Sequence, residues 1–131
     1  MTSRECEILK HILSYCREIN ETVARFGDSL ELLQADLDYR KSVAMSVLQI
    51  GELSTHLSEE FRSEHPGVPW RDIRGMRNVV AHHYGKMDET LLFEIVHQDV
   101  PELESFLEKL LAQPNLIDSE QEHSDRPSMT I

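Results

Sequence analysis

Between Pro69 and Gly85 the chain reads P-W-R-D-I-R-G-M-R-N-V-V-A-H-H-Y-G, which places Arg71, Arg74, Arg77, Asn78, His82, His83 and Tyr84 in one short stretch. An arginine presents a rigid fork of N–H donors that matches a phosphate, and an imidazole with an ordinary pKa of about 6.5 gives or takes a proton near neutrality. Together they suit metal-independent cleavage of RNA. A histidine activates the ribose 2′-hydroxyl or protonates the leaving 5′-oxygen, while arginine stabilises the charge that builds on phosphorus. A single histidine does only half of that proton work in one step. Two copies of the site, facing across a two-fold axis, would supply base and acid from one gene. On spacing alone, several arginines and two histidines on one helix are also what a solvated, ion-paired face looks like. Adjacent histidines project to different sides of a helix and make poor joint metal ligands. No set of Cys, His and carboxylates has metal spacing, so neither a metal nor another cofactor is expected.

The background makes this stretch stand out. The chain has 131 residues, the size of one ordinary domain able to bury a core without metals or disulfides. Its formal charge is −11, which argues against indiscriminate nucleic-acid binding, yet residues 65–86 carry four Lys/Arg against one Asp/Glu. Five Gly and five Pro leave few turns, favouring long helices over many short strands, so an all-α fold is expected. Cys6 and Cys16 lie ten positions apart in a segment that reads as helix, too far to bridge each other. No apolar run approaches a membrane span, and M-T-S-R-E-C-E lacks the pattern of a signal peptide, so a cytoplasmic, reducing setting and no membrane partner are expected.

The elements that must position the stretch follow from periodicity. Ile8, Ile12, Tyr15, Ile19 and Val23 make one apolar stripe of a helix from about Arg4 to Arg25, ended by Gly27. Asp28, three residues before Glu31, suggests a capping box for a short helix through Leu33. Val43, Val47, Ile50, Ser54, Leu57 and Phe61 predict one long central helix from about Leu37 to Ser63. Gly51 inside it implies either close approach by a neighbour or a tolerated glycine. Pro69 is placed as the first residue of the basic helix, which Gly85 closes. Asp88 then caps a helix to about Gln98, and Asp99-Val100-Pro101-Glu102 reads as another capping box opening a last helix to Ala112. The result is an up-and-down bundle of about four to five helices over residues 1–113, with a disordered acidic tail over 114–131.

Within the basic helix Ile73, Met76 and Val80 form an apolar row, while Arg74, Asn78 and His82, spaced by four, share the polar face. Arg77 reaches the same edge. Five positions, the step from Arg77 to His82, is about 140° around the axis, so their convergence needs a long arginine side chain, a distorted last turn or a second subunit.

At these residues the chain resembles the HEPN superfamily, and more closely the HepT-like ribonuclease toxins with their motif R-x4-H-x-Y. Arg77, the residues 78–81, His82, His83 and Tyr84 satisfy it without gaps, and the flanks I-G-E at 50–52, L-S-E-E-F at 57–61, E-I-V at 94–96 and D-V-P-E-L at 99–103 are similar too. The resemblance spans roughly residues 4–112. It implies a compact helical bundle, a homodimer with the motif at the dimer cleft, and RNA cleavage by Arg77 and His82 with support from Asn78, Arg74 and His83; the RNA could be tRNA or mRNA. It also implies a partner, a minimal (MNT-type) nucleotidyltransferase antitoxin that silences the toxin within a homodimer or higher hetero-oligomer. In some members it does so by AMPylation of the motif tyrosine, here Tyr84. An AMP there would add charge and bulk beside Arg77 and compete with the RNA phosphate. A ring capping the bundle end is the plainer reading of Tyr84. His83 stands where a small residue is frequent, and could assist proton transfer or stack on a base. The alternative to an enzyme is a catalytically silent HEPN module that binds nucleotides or the nucleotidyltransferase.

Overall fold

The computed structural model describes residues 1–81 and 88–114. Among these residues every regular element is helical. The helices are α1 (Ser3–Phe26), α2 (Leu30–Ala35), α3 (Leu37–Ser54), α4 (Glu59–Glu64), α5 (Trp70–Ala81), α6 (Glu89–Glu94) and α7 (Val100–Leu111), with a π-helical turn, Ile95–Asp99, joining the last two. The expected all-α bundle is what the chain forms, and none of these helices is long and apolar enough to cross a membrane.

Helix α1 begins in a capping box: the Thr2 hydroxyl accepts the Glu5 amide at 3.0 Å, and the Glu5 carboxylate accepts the Thr2 amide at 3.1 Å. It ends at Gly27, whose φ of 112° is a conformation glycine adopts without strain. Ile8, Ile12 and Ile19 of the expected stripe are buried, and Tyr15 and Val23 pack at its margin. Cys6 and Cys16 are buried free thiols. Burial, with Glu104 nearby, pushes the Cys16 thiol up to about 12, so it behaves as a small core hydrophobe.

Three details depart from the sequence reading. Ser29, not Asp28, caps α2: its hydroxyl accepts the Leu32 amide at 3.4 Å, while the Asp28 carboxylate is engaged by His97 from the far end of the chain. The long helix expected from Leu37 to Ser63 is two. The Ser54 and Thr55 hydroxyls bond back to the carbonyls of Gly51 and Glu52 at 2.8 and 2.6 Å, and tight backbone bonds close the helix. Ser58 then starts α4, its hydroxyl accepting the Phe61 amide at 3.0 Å. The buried Glu5 carboxylate takes the Ser58 amide at 3.1 Å and its hydroxyl, tying the new start to the first turn of α1. Nor does Asp99 cap a helix, since no side-chain bond forms there and the chain runs on from α6 to α7. The widened π-turn lies just before Pro101, which lacks the N–H and has the bulk that disrupt α-helical pairing with the preceding turn. A smaller difference is that Pro69 immediately precedes the first helical residue, its carbonyl accepting the Ile73 amide at 3.0 Å. The closing role expected of Gly85, and the tail beyond Pro114, lie outside the described residues.

Helix α3 is central, packed on α1 on one side and α5 on the other, with α7 against α1. Val43, Val47 and Ile50 share one buried core with Leu9, Ile12 and Ile19, a core that also takes in Ile73, Met76 and Val80 of α5. The apolar row expected on the basic helix is therefore what fixes that helix to the scaffold.

Candidate active site

Helix α5 enters through Trp70, which is buried, with its Nε1 donating to the His65 carbonyl at 3.0 Å and its ring beside Phe61 and Phe106. With Trp70, Ile73, Met76 and Val80 turned inward, a pitch of about 3.6 residues brings Arg77 to the edge of the apolar face and Arg74 and Asn78 further round. Arg74 is half-buried, and its Nε is buried with no hydrogen-bond partner among the described residues. Asn78 and Arg71 are exposed.

At Arg77, α5 comes closest to α3. A Cβ built on Gly51 would lie 2.8 Å from the Arg77 amide nitrogen, 3.1 Å from its Cβ and 3.3 Å from its Cα. Of the two readings of Gly51, close approach is the one realised, and the neighbour is the arginine itself. One residue on, the Glu52 carboxylate accepts Arg77 Nη1 at 3.2 Å. The arginine side chain is 44% exposed and the glutamate 47%. An ion pair this wet contributes little to stability, on the order of 0–1 kcal/mol, so its effect is orientation. It uses one of five N–H donors, and among the described residues no other side-chain bond engages the fork.

Glu52 has no role in the sequence reading beyond its place in the I-G-E flank. The available signal was a glycine on a helix interior next to a carboxylate, which marks a backbone contact able to present a charged neighbour. His82, His83 and Tyr84 lie outside the described residues; of the expected set Arg74, Arg77 and Asn78 are described, all on α5, and the contact the structure shows is that of Arg77 with Gly51 and Glu52. Among the described residues no group of three or more His, Cys, Asp and Glu side chains clusters to hold a metal ion.

The family pattern described as ribonuclease HepT-like matches residues 12–110. A protein of Caldanaerobacter subterraneus subsp. tengcongensis named as a candidate RNase is 34% identical over 103 residues, covering 79% of this chain and 90% of that one. One from Methanocaldococcus jannaschii, also named as a candidate RNase, is 35% identical over 82 residues, 56% of this chain and 75% of its own. One from Thermococcus cleftensis, named as a candidate ribonuclease HepT, is 38% identical over 61 residues, 47% of this chain and 56% of its own. No solved structure matches.

Proposed function

Because this chain belongs to the HepT-like ribonuclease family, within HEPN, we propose that it is an endoribonuclease toxin that cuts RNA without a metal, using Arg77 and His82. The observation that supports the reading is the seat of Arg77: its backbone is locked against Gly51 and its guanidinium is steered by Glu52, which holds the fork ready for a phosphate before substrate arrives.

In this reading the Arg77 fork, with Arg74 beside it, binds the scissile phosphate, and His82 takes the proton of the 2′-hydroxyl. The 2′-oxygen forms a bond to phosphorus, the bond from phosphorus to the 5′-oxygen breaks, and an imidazolium of a second copy protonates the leaving oxygen. The products are a cyclic 2′,3′-phosphate and a free 5′-hydroxyl. Asn78 and His83 stand in supporting positions. A homodimer completes the site, and a nucleotidyltransferase antitoxin silences it by AMPylation: the Tyr84 phenol oxygen attacks the α-phosphate of ATP, loses its proton and releases pyrophosphate.

The test is incubation of purified protein with total RNA and with tRNA in excess EDTA, beside Arg77→Ala and His82→Ala proteins, with oligomeric mass measured by light scattering. Cleavage by the wild type alone, from a dimer, is the expected result. If the wild type cuts no more than the variants, the reading gives way to a silent binding module. Intact mass after co-expression with a nucleotidyltransferase tests the modification, expected as an AMP increment that is lost in Tyr84→Phe.

A further inference from the structure

A pocket of about 360 Å³ opens between the 65–69 loop, the first turn of α5 and the start of α7. Much of its wall is apolar and aromatic, with Ile73 and Leu103 buried at its base and the His65 ring set edge-on to Phe106 at 5.4 Å between centroids. Two acidic residues, Asp99 and Glu102, are part of that lining. Asp72 and Glu94 add to the negative field at Asp99, and this crowding, after burial, raises the Asp99 carboxyl above its ordinary range. Among the described residues, none of these four acids has an ion-pair or side-chain hydrogen-bond partner.

A cavity with an aromatic wall and carboxylates that no described cation pairs disfavours phosphates and favours a cation that carries apolar surface. We propose that this pocket receives an arginine side chain of a partner protein, its guanidinium laid against Phe106 and bridged to Asp99 and Glu102. Guanidinium is planar, stacks on rings and offers paired donors to carboxylates, whereas an ammonium is compact and more strongly hydrated. The volume, near the lower end of the roughly 300–1,000 Å³ range of ligand pockets, suits one long side chain. Ile73 in the wall is four residues from Arg77, about 6 Å along the helix, so a partner anchored here lies alongside the phosphate-binding arginine without using its charge. The site stands on the pocket itself and is independent of whether the chain cuts RNA.

Trp70, the single tryptophan, packs on Phe106 at 6.0 Å and bonds to His65, so its fluorescence and its indole N–H proton resonance both report on the pocket. The full-length protein is titrated, without RNA, with a short neutral peptide bearing one arginine, the same peptide with citrulline or lysine in its place, and spermidine. The expected result is a saturable change with the arginine peptide and binding about tenfold or more weaker for citrulline, which keeps the shape and loses the charge. Asp99→Asn with Glu102→Gln weakens the arginine peptide by a similar factor, while thermal melting shows the fold intact because like-charge repulsion is relieved. No saturable change in either signal, equal binding of citrulline, or indifference to the double variant overturns the site. Lysine binding as tightly as arginine overturns the guanidinium assignment, and spermidine saturating at lower concentration than the peptide overturns a protein partner in favour of a free polyamine.

Discussion

Gly51 of α3 and Arg77 of α5 meet with no side chain between them, such that a Cβ on residue 51 would lie 2.8 Å from the Arg77 amide nitrogen. The contact joins the helix at the centre of the bundle to the arginine of the R-x4-H-x-Y motif. Because the neighbour is backbone, it cannot swing aside as a side-chain end would. The residue after the glycine, Glu52, then reaches the arginine's Nη1 at 3.2 Å.

Gly51→Ala tests the contact. In an open helix the change would stabilise by about 1 kcal/mol through propensity. Here the added methyl must push α3 and α5 apart, and overpacking of this kind costs about 1–3 kcal/mol. The clash is against backbone, so destabilisation wins, by about 1 kcal/mol net in chemical denaturation. Cleavage falls further than stability, since the displaced segment carries Arg77.

Glu52→Gln separates orientation from stability. The ion pair is half exposed, so the midpoint of unfolding should move by no more than about 1 kcal/mol. In the proposed mechanism a guanidinium released from its carboxylate keeps its charge for RNA but is less well aimed. The expected signature is a kcat lowered by about tenfold to a hundredfold with KM unchanged or lower. An unchanged kcat would remove Glu52 from the positioning of Arg77.

The stripe from Val43 to Phe61 was legible because burial obeys periodicity, and each of its members is indeed buried. The break within it was not. The turn after Ser54 keeps the same face inward, so the apolar spacing passes across it unchanged, and the group that anchors the restart, Glu5, is 53 residues away from Ser58. The Asp28 and Asp99 caps failed for a related reason. A carboxylate in front of a helix is a local signal, but Asp28 pairs with His97, 69 residues distant, and Asp99 sits inside a helix that a π-turn carries past Pro101. At the candidate site the arginines announced themselves by type and spacing, whereas Glu52 acquires its role only where two helices touch.

Glu5 is the one buried acid among the described residues, 6% exposed. Burial pushes its pKa up, but hydrogen bonds from Ser58 and Thr2 outweigh that and hold it below the ordinary 4.5. A depressed folded pKa means stability that is present above about 4.5 and is lost as pH falls through the folded value. Glu5→Gln turns an amide N–H₂ toward donors that needed an acceptor, so a loss of about 1–3 kcal/mol is expected near neutral pH. The gap between variant and wild type should narrow in acid, read as unfolding midpoints across a series of buffers.

His97 acts in the opposite sense. Its ring lies on Phe93, its Nδ1 bonds to the Phe93 carbonyl at 2.9 Å, and its Nε2 engages Asp28, clasping the α1–α2 connection to the π-turn. Partial burial lowers its pKa, but the carbonyl and the Asp28 carboxylate raise it more, leaving it above 6.5. A raised folded pKa gives stability that is complete below about 6.5 and is lost as pH rises through the folded value, where the ring gives up its proton and the pair its attraction. The Asp28 side chain is 63% exposed, so the contribution is screened and stays below about 1 kcal/mol. His97→Gln should therefore melt below the wild type in mildly acidic buffer and approach it as pH rises. A difference that stays constant through that range would show that the charge on His97 contributes nothing to the clasp.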